Sequence, residues 1–312
     1  PLGFVGLGAG ERVTLDLSGD GFLQVAVPSD TEDDGLEALI ENSGTRAIVK
    51  TITEGIAPIF CAGLRSLIAT ICLIFWMAGR RIALFVGHIK DGMLIGLLFG
   101  AEFGLLYMAV RYTTASSAWI LLYTSPFFHA LGAHFFLTGD RLSIAKAVGM
   151  MLSFSGILVL LSMHLGLPSV DQFTGDVLAL TAAILWALTT VVIKRRLVAA
   201  VSPYHTLFYQ TLFSIPILFL LSYMVQETPI RYLNGLIWVS LAYQGILVAF
   251  VSYLVWFFLV HSYPVSRLSA FTFLTPVLAT LAGVLLLGEP LTMRIIISLT
   301  LVSIGIYIVN RN

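Results

Sequence analysis

The sequence predicts an all-α membrane protein built from two inverted repeats of transmembrane helices, and three observations predict it. Of 312 residues, 58% are hydrophobic and 11% charged, with mean hydropathy +0.95. A soluble domain would carry roughly 25% charged residues, so most of this surface is expected to face lipid. Apolar stretches long enough to cross a bilayer follow one another with short polar breaks. Thirdly, the chain repeats itself. Thr124-Ser125-Pro126, an apolar run, Thr138-Gly139-Asp140-Arg141-Leu142-Ser143 and a second apolar run return about 150 residues later. The second copy reads Leu274-Thr275-Pro276, an apolar run, Leu287-Gly288-Glu289-Pro290-Leu291-Thr292 and an apolar run ending near Asn310. A period of that length in an apolar chain marks a duplicated membrane unit, with a site expected between the halves.

Residues 1–44 come first and do not fit the pattern. They carry Glu11, Arg12, Asp16, Asp20 and the run Asp30-Thr31-Glu32-Asp33-Asp34, and no window approaches the ~20 apolar residues a span needs. A non-membrane acidic segment, artefactual or disordered, is expected here. Three origins fit it: a truncation or frameshift replacing a first helix, a genuine soluble extension, or an expression remnant.

Spans are then expected at 57–79, 92–110, 114–137, 143–164, 175–194, 203–225, 235–259, 264–287 and 293–309, about nine in all. Gly, Pro, Asp and Arg punctuate the connections. Cys61 and Cys72 share the first span about 16 Å apart along a helix, too far to pair with each other. Residues 1–50 hold nine acidic and three basic side chains, which leaves the rest of the chain basic. If the spans alternate, Arg80, Arg81, Lys90, Arg141, Lys146, Lys194, Arg195, Arg196, Arg267 and Arg311 fall on one side. The other side holds mainly Arg111, Arg231 and Arg294. The richer side is expected to be cytoplasmic, with the C-terminus inside a multi-pass protein of the cytoplasmic membrane. No basic stripe with interleaved aromatics marks a nucleic-acid surface.

The duplication extends backwards. Ile193-Lys194 precedes Pro203 much as Val49-Lys50 precedes Pro58, the stretch from Thr113 to Ala118 matches Tyr263 to Leu268, and Gly156-Ile157 matches Gly305-Ile306. The offset stays at 144–150, with the drift in loops, where insertions cost little. Five spans per unit would invert the second unit and give a pseudo-twofold axis in the membrane plane.

Leu274-Thr275-Pro276-Val277 through Gly288-Glu289-Pro290-Leu291-Thr292, and Gly175-Asp176-Val177 through Trp186-Ala187-Leu188 to Lys194, resemble the most recognisable stretches of EamA-type carriers of the drug/metabolite transporter superfamily. Gly55-Ile56-Ala57-Pro58 through Leu64-Arg65 is similar to the start of their second helix. The resemblance implies ten helices in two inverted five-helix repeats, and export or exchange of small metabolites such as amino acids. It places a first repeat at 45–165, lacking most of its first helix, and a second at 175–310.

Glu102 is the sharpest candidate for chemistry. It lies mid-span, where a carboxylate costs about 2.5–3.5 kcal/mol to insert and so faces a cavity or a partner. Gly92, Gly96, Gly100 and Gly104 form a stripe on the same helix, suited to close helix approach, with Glu102 on the opposite face. Arg65 is expected at a similar depth, either as a structural partner of Glu102 or as a contact for substrate or a coupling proton. Its repeat equivalent is Gln210. Trp119 and Tyr123, with His129 and His134 on the same span, and Gln244, with Tyr243, Tyr253 and Trp256, either stack on a substrate or simply pack helices. His129 and His134 are five apart and make a poor metal pair. Pro126 and Pro276 sit inside spans, as hinges or static bends. Asp140 and Glu289 read as loop or cap residues.

The expected function is secondary active transport of a small organic metabolite by alternating access, with no cofactor and no metal. No nucleotide-binding motif is present, and neither His-Glu-x-x-His nor Gly-x-Ser-x-Gly occurs to support an intramembrane enzyme. A non-transporting membrane scaffold, or a truncated inactive relative, is the other reading.

Overall fold

The computed structural model describes residues 55–113, 115–161, 170–278, 281 and 293–311. The acidic segment 1–44, the Arg46–Lys50 stretch and the Gly288-Glu289-Pro290 motif lie outside these residues. The described chain is helical throughout, with no strand beyond a single bridge between Ile56 and Ile230.

Helix α1 (Pro58–Gly79) opens with proline in its first turn, where the missing N–H costs nothing. Helix α2 is Ile89–Tyr112. The third span is broken: α3 runs as Ala115–Leu122 and then Ser125–Phe136. The continuous helix expected over 114–137 gives way at Tyr123-Thr124, because Pro126 has no N–H to give the turn before it. Helices α4 (Ile144–Leu161) and α5 (Val170–Val192, carried on to Leu197 by a wide π turn) follow. Next come α6 (Pro203–Met224) and α7, which spans Gly235–Ser262 and is wound as a π-helix over Tyr243–Ser252. Helix α8 (Val265–Leu278) tightens to a 3-10 turn at Phe271–Phe273, just before Pro276, and α9 is Met293–Arg311. Helices α1, α2, α5, α6 and α7 are each long and apolar enough to cross a membrane, and α4, α8 and α9 are shorter apolar helices.

The contacts fix the direction of each helix. The loop after α1 is held by the start of α6: His205 Nε2 lies 2.8 Å from the Ala83 carbonyl, and the Tyr209 hydroxyl donates to Gly87 and accepts from the Val86 N–H. At the other end of α1, Arg231 donates its N–H to Gly55. So α6 starts where α1 ends, and the two equivalent helices of the repeat run antiparallel. Arg196 pairs with Asp91 near the start of α2, and Lys194 reaches the end of α7, so α2 and α7 are inverted too. Arg81 and Arg231 lie at opposite ends of α1, which is about 33 Å long at 1.5 Å per residue. The loops rich in arginine and lysine gather at one end, hereafter the basic end.

Packing follows the small residues. A Cβ on Gly92, Gly96, Gly100 or Gly104 would collide in turn with Tyr209, Phe213, Ile217 and Leu221 of α6. The stripe on α2 is therefore the trough that seats one row of α6, each partner four residues after the last. Helix α4 meets α9 the same way, with Gly149 and Gly156 against Gly305 and Val302. Between α1 and α6 two buried hydroxyl pairs cross, Thr70 to Thr211 at 2.9 Å and Ser214 to Ser66 at 3.0 Å. In hydrocarbon, such contacts supply the attraction that water-driven burial supplies elsewhere.

Candidate functional site

Two small cavities lie where the repeats meet. The larger, ≈ 20 Å³, is lined by Phe99 and Glu102 of α2, by Gln210 of α6, and by faces of α5 and α7. Helix α5 contributes Trp186, Thr189, Thr190 and Ile193, and α7 contributes Tyr253, Trp256 and Phe257. The smaller, ≈ 10 Å³, takes in Arg65 and Ser66 of α1 and Phe103 of α2. Phe99 and Tyr253 line both and form their shared wall, ring edge against ring face with centroids 5.9 Å apart.

Arg65 and Gln210 are each the eighth residue of their helices, α1 and α6, and both are buried. Repeat-equivalent positions thus supply a cation to one cavity and a neutral amide to the other. Arg65 donates through Nη2 to the Tyr253 hydroxyl at 2.9 Å, and its guanidinium stands 5.5 Å from the centre of the Phe103 ring. Glu102 is fully buried, 0% exposed, and lines the larger cavity, while Arg65 lines the smaller. Gln210 turns an amide oxygen inward that has no hydrogen-bond donor among the described residues.

The other expected residues sit elsewhere. Trp119 and Tyr123 pack against each other, 6.1 Å between rings, in the core beside the α3 break and away from both linings. Gln244 is buried in the π-wound stretch of α7, also off the linings. Gly96, Gly100 and Gly104 face α6, as described. Pro126 and Pro276 stand at equivalent places beside the breaks in α3 and α8. His129 donates to the Ser125 carbonyl, contacts Thr190 and meets the Trp186 ring edge-on at 5.3 Å.

Sequence reasoning passed over Trp186, Thr189, Thr190 and Ile193. Their spacing of i, i+3, i+4, i+7 puts them on one helical face, and the two threonines there were the available signal.

At each end of the bundle a loop carboxylate caps a distant helix. Away from the basic end, Glu227 accepts from the backbone N–H groups of Ile59 and Phe60, at 3.3 and 3.1 Å, and so caps α1. It also accepts from Ser222 at 2.8 Å and from Arg111 at 3.0 Å. At the basic end Asp140 accepts from the Ser266 N–H at 2.9 Å and from its hydroxyl, capping α8, while Lys146 donates to Asp140 at 2.9 Å and to Ser266 at 2.7 Å. Burial pushes the Asp140 carboxyl up, but Ser266 and Lys146 outweigh it and hold the group below the usual carboxylate range. Asp140 was expected as a loop or cap residue of its own span; the helix it caps is 126 residues further on. Lys194 completes this end by donating to the Val260 and Tyr263 carbonyls at the end of α7, at 2.6 and 3.0 Å. A crevice of ≈ 520 Å³ opens there beside Asp140, Lys194, Arg195 and Tyr263.

The profile of the EamA-like transporter family matches residues 42–162 and again residues 173–311. The chain belongs to the EamA-like transporter family. It is an all-α, multi-pass membrane protein and a membrane transporter by that membership. Among its relatives is a protein of Salmonella typhimurium named as a probable amino-acid metabolite efflux pump, 30% identical over 84% of this chain and 88% of that one. An uncharacterized transporter of Archaeoglobus fulgidus is 29% identical over 84% and 92%. A solved crystal structure covering 88% of this chain and 95% of its own shares the fold, with TM-score 0.73 at 21% identity.

Proposed function

We propose that this chain is a secondary transporter of the cytoplasmic membrane that exports or exchanges small organic metabolites, amino acids foremost, by alternating access. The observation that carries the reading is a buried cavity pair at the meeting of inverted helices, with a capping clamp at each end. Neither cavity as it stands admits an amino acid, so carriage of one requires the helices around them to part. Releasing the Asp140–Ser266 clamp, with Lys194, frees the basic end, and releasing Glu227 from α1 frees the other. Alternation of the two is the motion that carries a solute across. The basic end, with the C-terminus, is cytoplasmic by its charge. Glu102 supplies a group that can carry a coupling proton or touch the solute. The relative named as an amino-acid metabolite efflux pump supports the substrate class.

Counterflow into proteoliposomes over a panel of amino acids tests this. Accumulation of at least one labelled amino acid is expected, with loss in Glu102→Gln. No movement of any solute by a folded protein, or no effect of that substitution, counts against the reading or against the place of Glu102 in it.

A further inference from the structure

We infer that the crevice at the basic end holds the phosphate of an anionic lipid headgroup, with the lipid's chains lying against α3. The crevice is ≈ 520 Å³, and its lining joins segments far apart in the chain. These are residues 136–140 at the end of α3, Lys194 and Arg195 on the π turn of α5, and residues 262–264 between α7 and α8. Three of the lining residues are charged. Asp140 is already matched, because Lys146 and both the N–H and the hydroxyl of Ser266 donate to it. Lys194 gives its three ammonium hydrogens to the Val260, His261 and Tyr263 carbonyls, so it brings charge but no free donor. Arg195 has no hydrogen-bond acceptor among the described residues. Its guanidinium stands 5.9 Å from the centre of the Phe136 ring and keeps its N–H groups for another partner.

With Asp140 matched by Lys146, the charges of Lys194 and Arg195 are left over, and the crevice is positive. A guanidinium fork fits phosphate oxygens in pairs. The hydroxyls of Thr138 and Tyr263 have no hydrogen-bond partner among the described residues, and both side chains are exposed, so they can donate to the same oxygens. Ser262 cannot, since its hydroxyl goes to the Phe258 carbonyl at 2.8 Å. A crevice of this size takes a phosphate with a small organic substituent. A lipid is the source, because Phe136 belongs both to the crevice and to an exposed apolar surface of α3 that includes Leu131 and Phe135, one turn apart. Chains rest there while the headgroup reaches Arg195. In the orientation proposed above this end meets the cytoplasmic leaflet, where anionic lipids concentrate and basic pockets between helices take their headgroups.

The inference stands apart from the transport reading, since nothing in it requires a solute to move. The test is native mass spectrometry of the purified full chain, titrated in detergent with phosphatidylglycerol, phosphatidylcholine or glycerol 1-phosphate. Phosphatidylglycerol should give a saturating adduct, and the other two should each bind at least about tenfold more weakly. Arg195→Ala should lose about tenfold in affinity for phosphatidylglycerol. Its lipid-free thermal unfolding transition should stay in place, because among the described residues Arg195 gives up only its contact with the Phe136 ring. Arg195→Lys keeps the charge but not the fork and should lose several-fold. Lys90→Ala removes a charge from an exposed residue at the same end but outside the lining, and should bind as the parent does. No saturating adduct, equal affinity for phosphatidylcholine, or unchanged affinity in Arg195→Ala would overturn the inference. So would equal losses in Lys90→Ala and Arg195→Ala, which would reduce the site to general surface charge. Equal affinity for glycerol 1-phosphate would overturn the lipid as the source, in favour of a soluble phosphate ester.

Discussion

Gly96→Ala should destabilise the protein while Gly79→Ala stabilises it, although the two substitutions are chemically identical. At position 96 the new methyl would press on the Phe213 Cβ, 2.9 Å from that residue's carbonyl carbon and 3.0 Å from its Cα. Carbon pairs settle at about 3.5–4.0 Å, so α2 and α6 must part by about 0.5–1 Å. No rotamer change relieves this, because the atoms in the way are backbone and Cβ. Overpacking of this kind costs about 1–3 kcal/mol. The gain in helix propensity returns about 1 kcal/mol, so the net loss at Gly96 is about 0–2 kcal/mol. At Gly79 nothing lies within 4 Å, and only the gain remains. Gly104→Ala is intermediate. Its methyl meets the tip of Leu221, whose Cγ is 3.6 Å away, and a rotation of that side chain costs about 0.5–1.5 kcal/mol. Reversible unfolding in mixed SDS micelles would rank the three. If Gly96→Ala proves as stable as Gly79→Ala, the account of α2 seated on α6 is wrong.

Further outcomes are expected from the clamps and the hydroxyl pairs. Glu227→Gln should cost about 1–3 kcal/mol through lost charge-assisted bonds, and should expose the Arg111 end to membrane-impermeant labels; unchanged labelling would count against a clamp there. Asp140 has a depressed pKa, so its stabilisation is complete above the usual carboxylate value near 3.9 and is lost only as pH falls through its lower folded value. Labelling of a cysteine placed at Thr138, taken at each pH relative to a free thiol so that the thiolate fraction cancels, should therefore be flat from pH 5 to 8 and rise in Asp140→Asn at every pH; a midpoint between pH 5 and 8 in that ratio would refute the assignment. Thr70→Val and Thr211→Val should be coupled by about 0.6 kcal/mol in a double-mutant cycle, the average for polar pairs between membrane helices, and strict additivity would show that the bond contributes nothing.

Much of the architecture was legible in the chain because lipid imposes a simple rule: backbone groups without water must pair within a helix. Span positions followed from that, and the repeat at an offset near 150 gave the inversion. The Gly92-to-Gly104 stripe announced a close helix contact. Its partner, α6, did not show in the sequence, since any helix with side chains at four-residue spacing would fit the trough. Glu102 stood out because a carboxylate among apolar residues is costly wherever it lies. Trp186, Thr189 and Thr190 did not, because threonine can satisfy itself on its own helix and tryptophan is common at bilayer edges. Trp119 and Tyr123, which the sequence leaves open between stacking on a solute and packing helices, lie off both linings.

The sequence by itself determined the class of protein, the ends of most helices, their alternation and the residue whose burial needs explaining. Hydropathy, proline and glycine act locally, so one-dimensional order carries them. Only the tertiary structure decided which side chains share a cavity, that Arg65 binds Tyr253, and that Asp140 and Glu227 cap helices far along the chain. Those are matters of rotation about helix axes and of contact between distant segments, and many pairings satisfy the same apolar pattern before packing selects one.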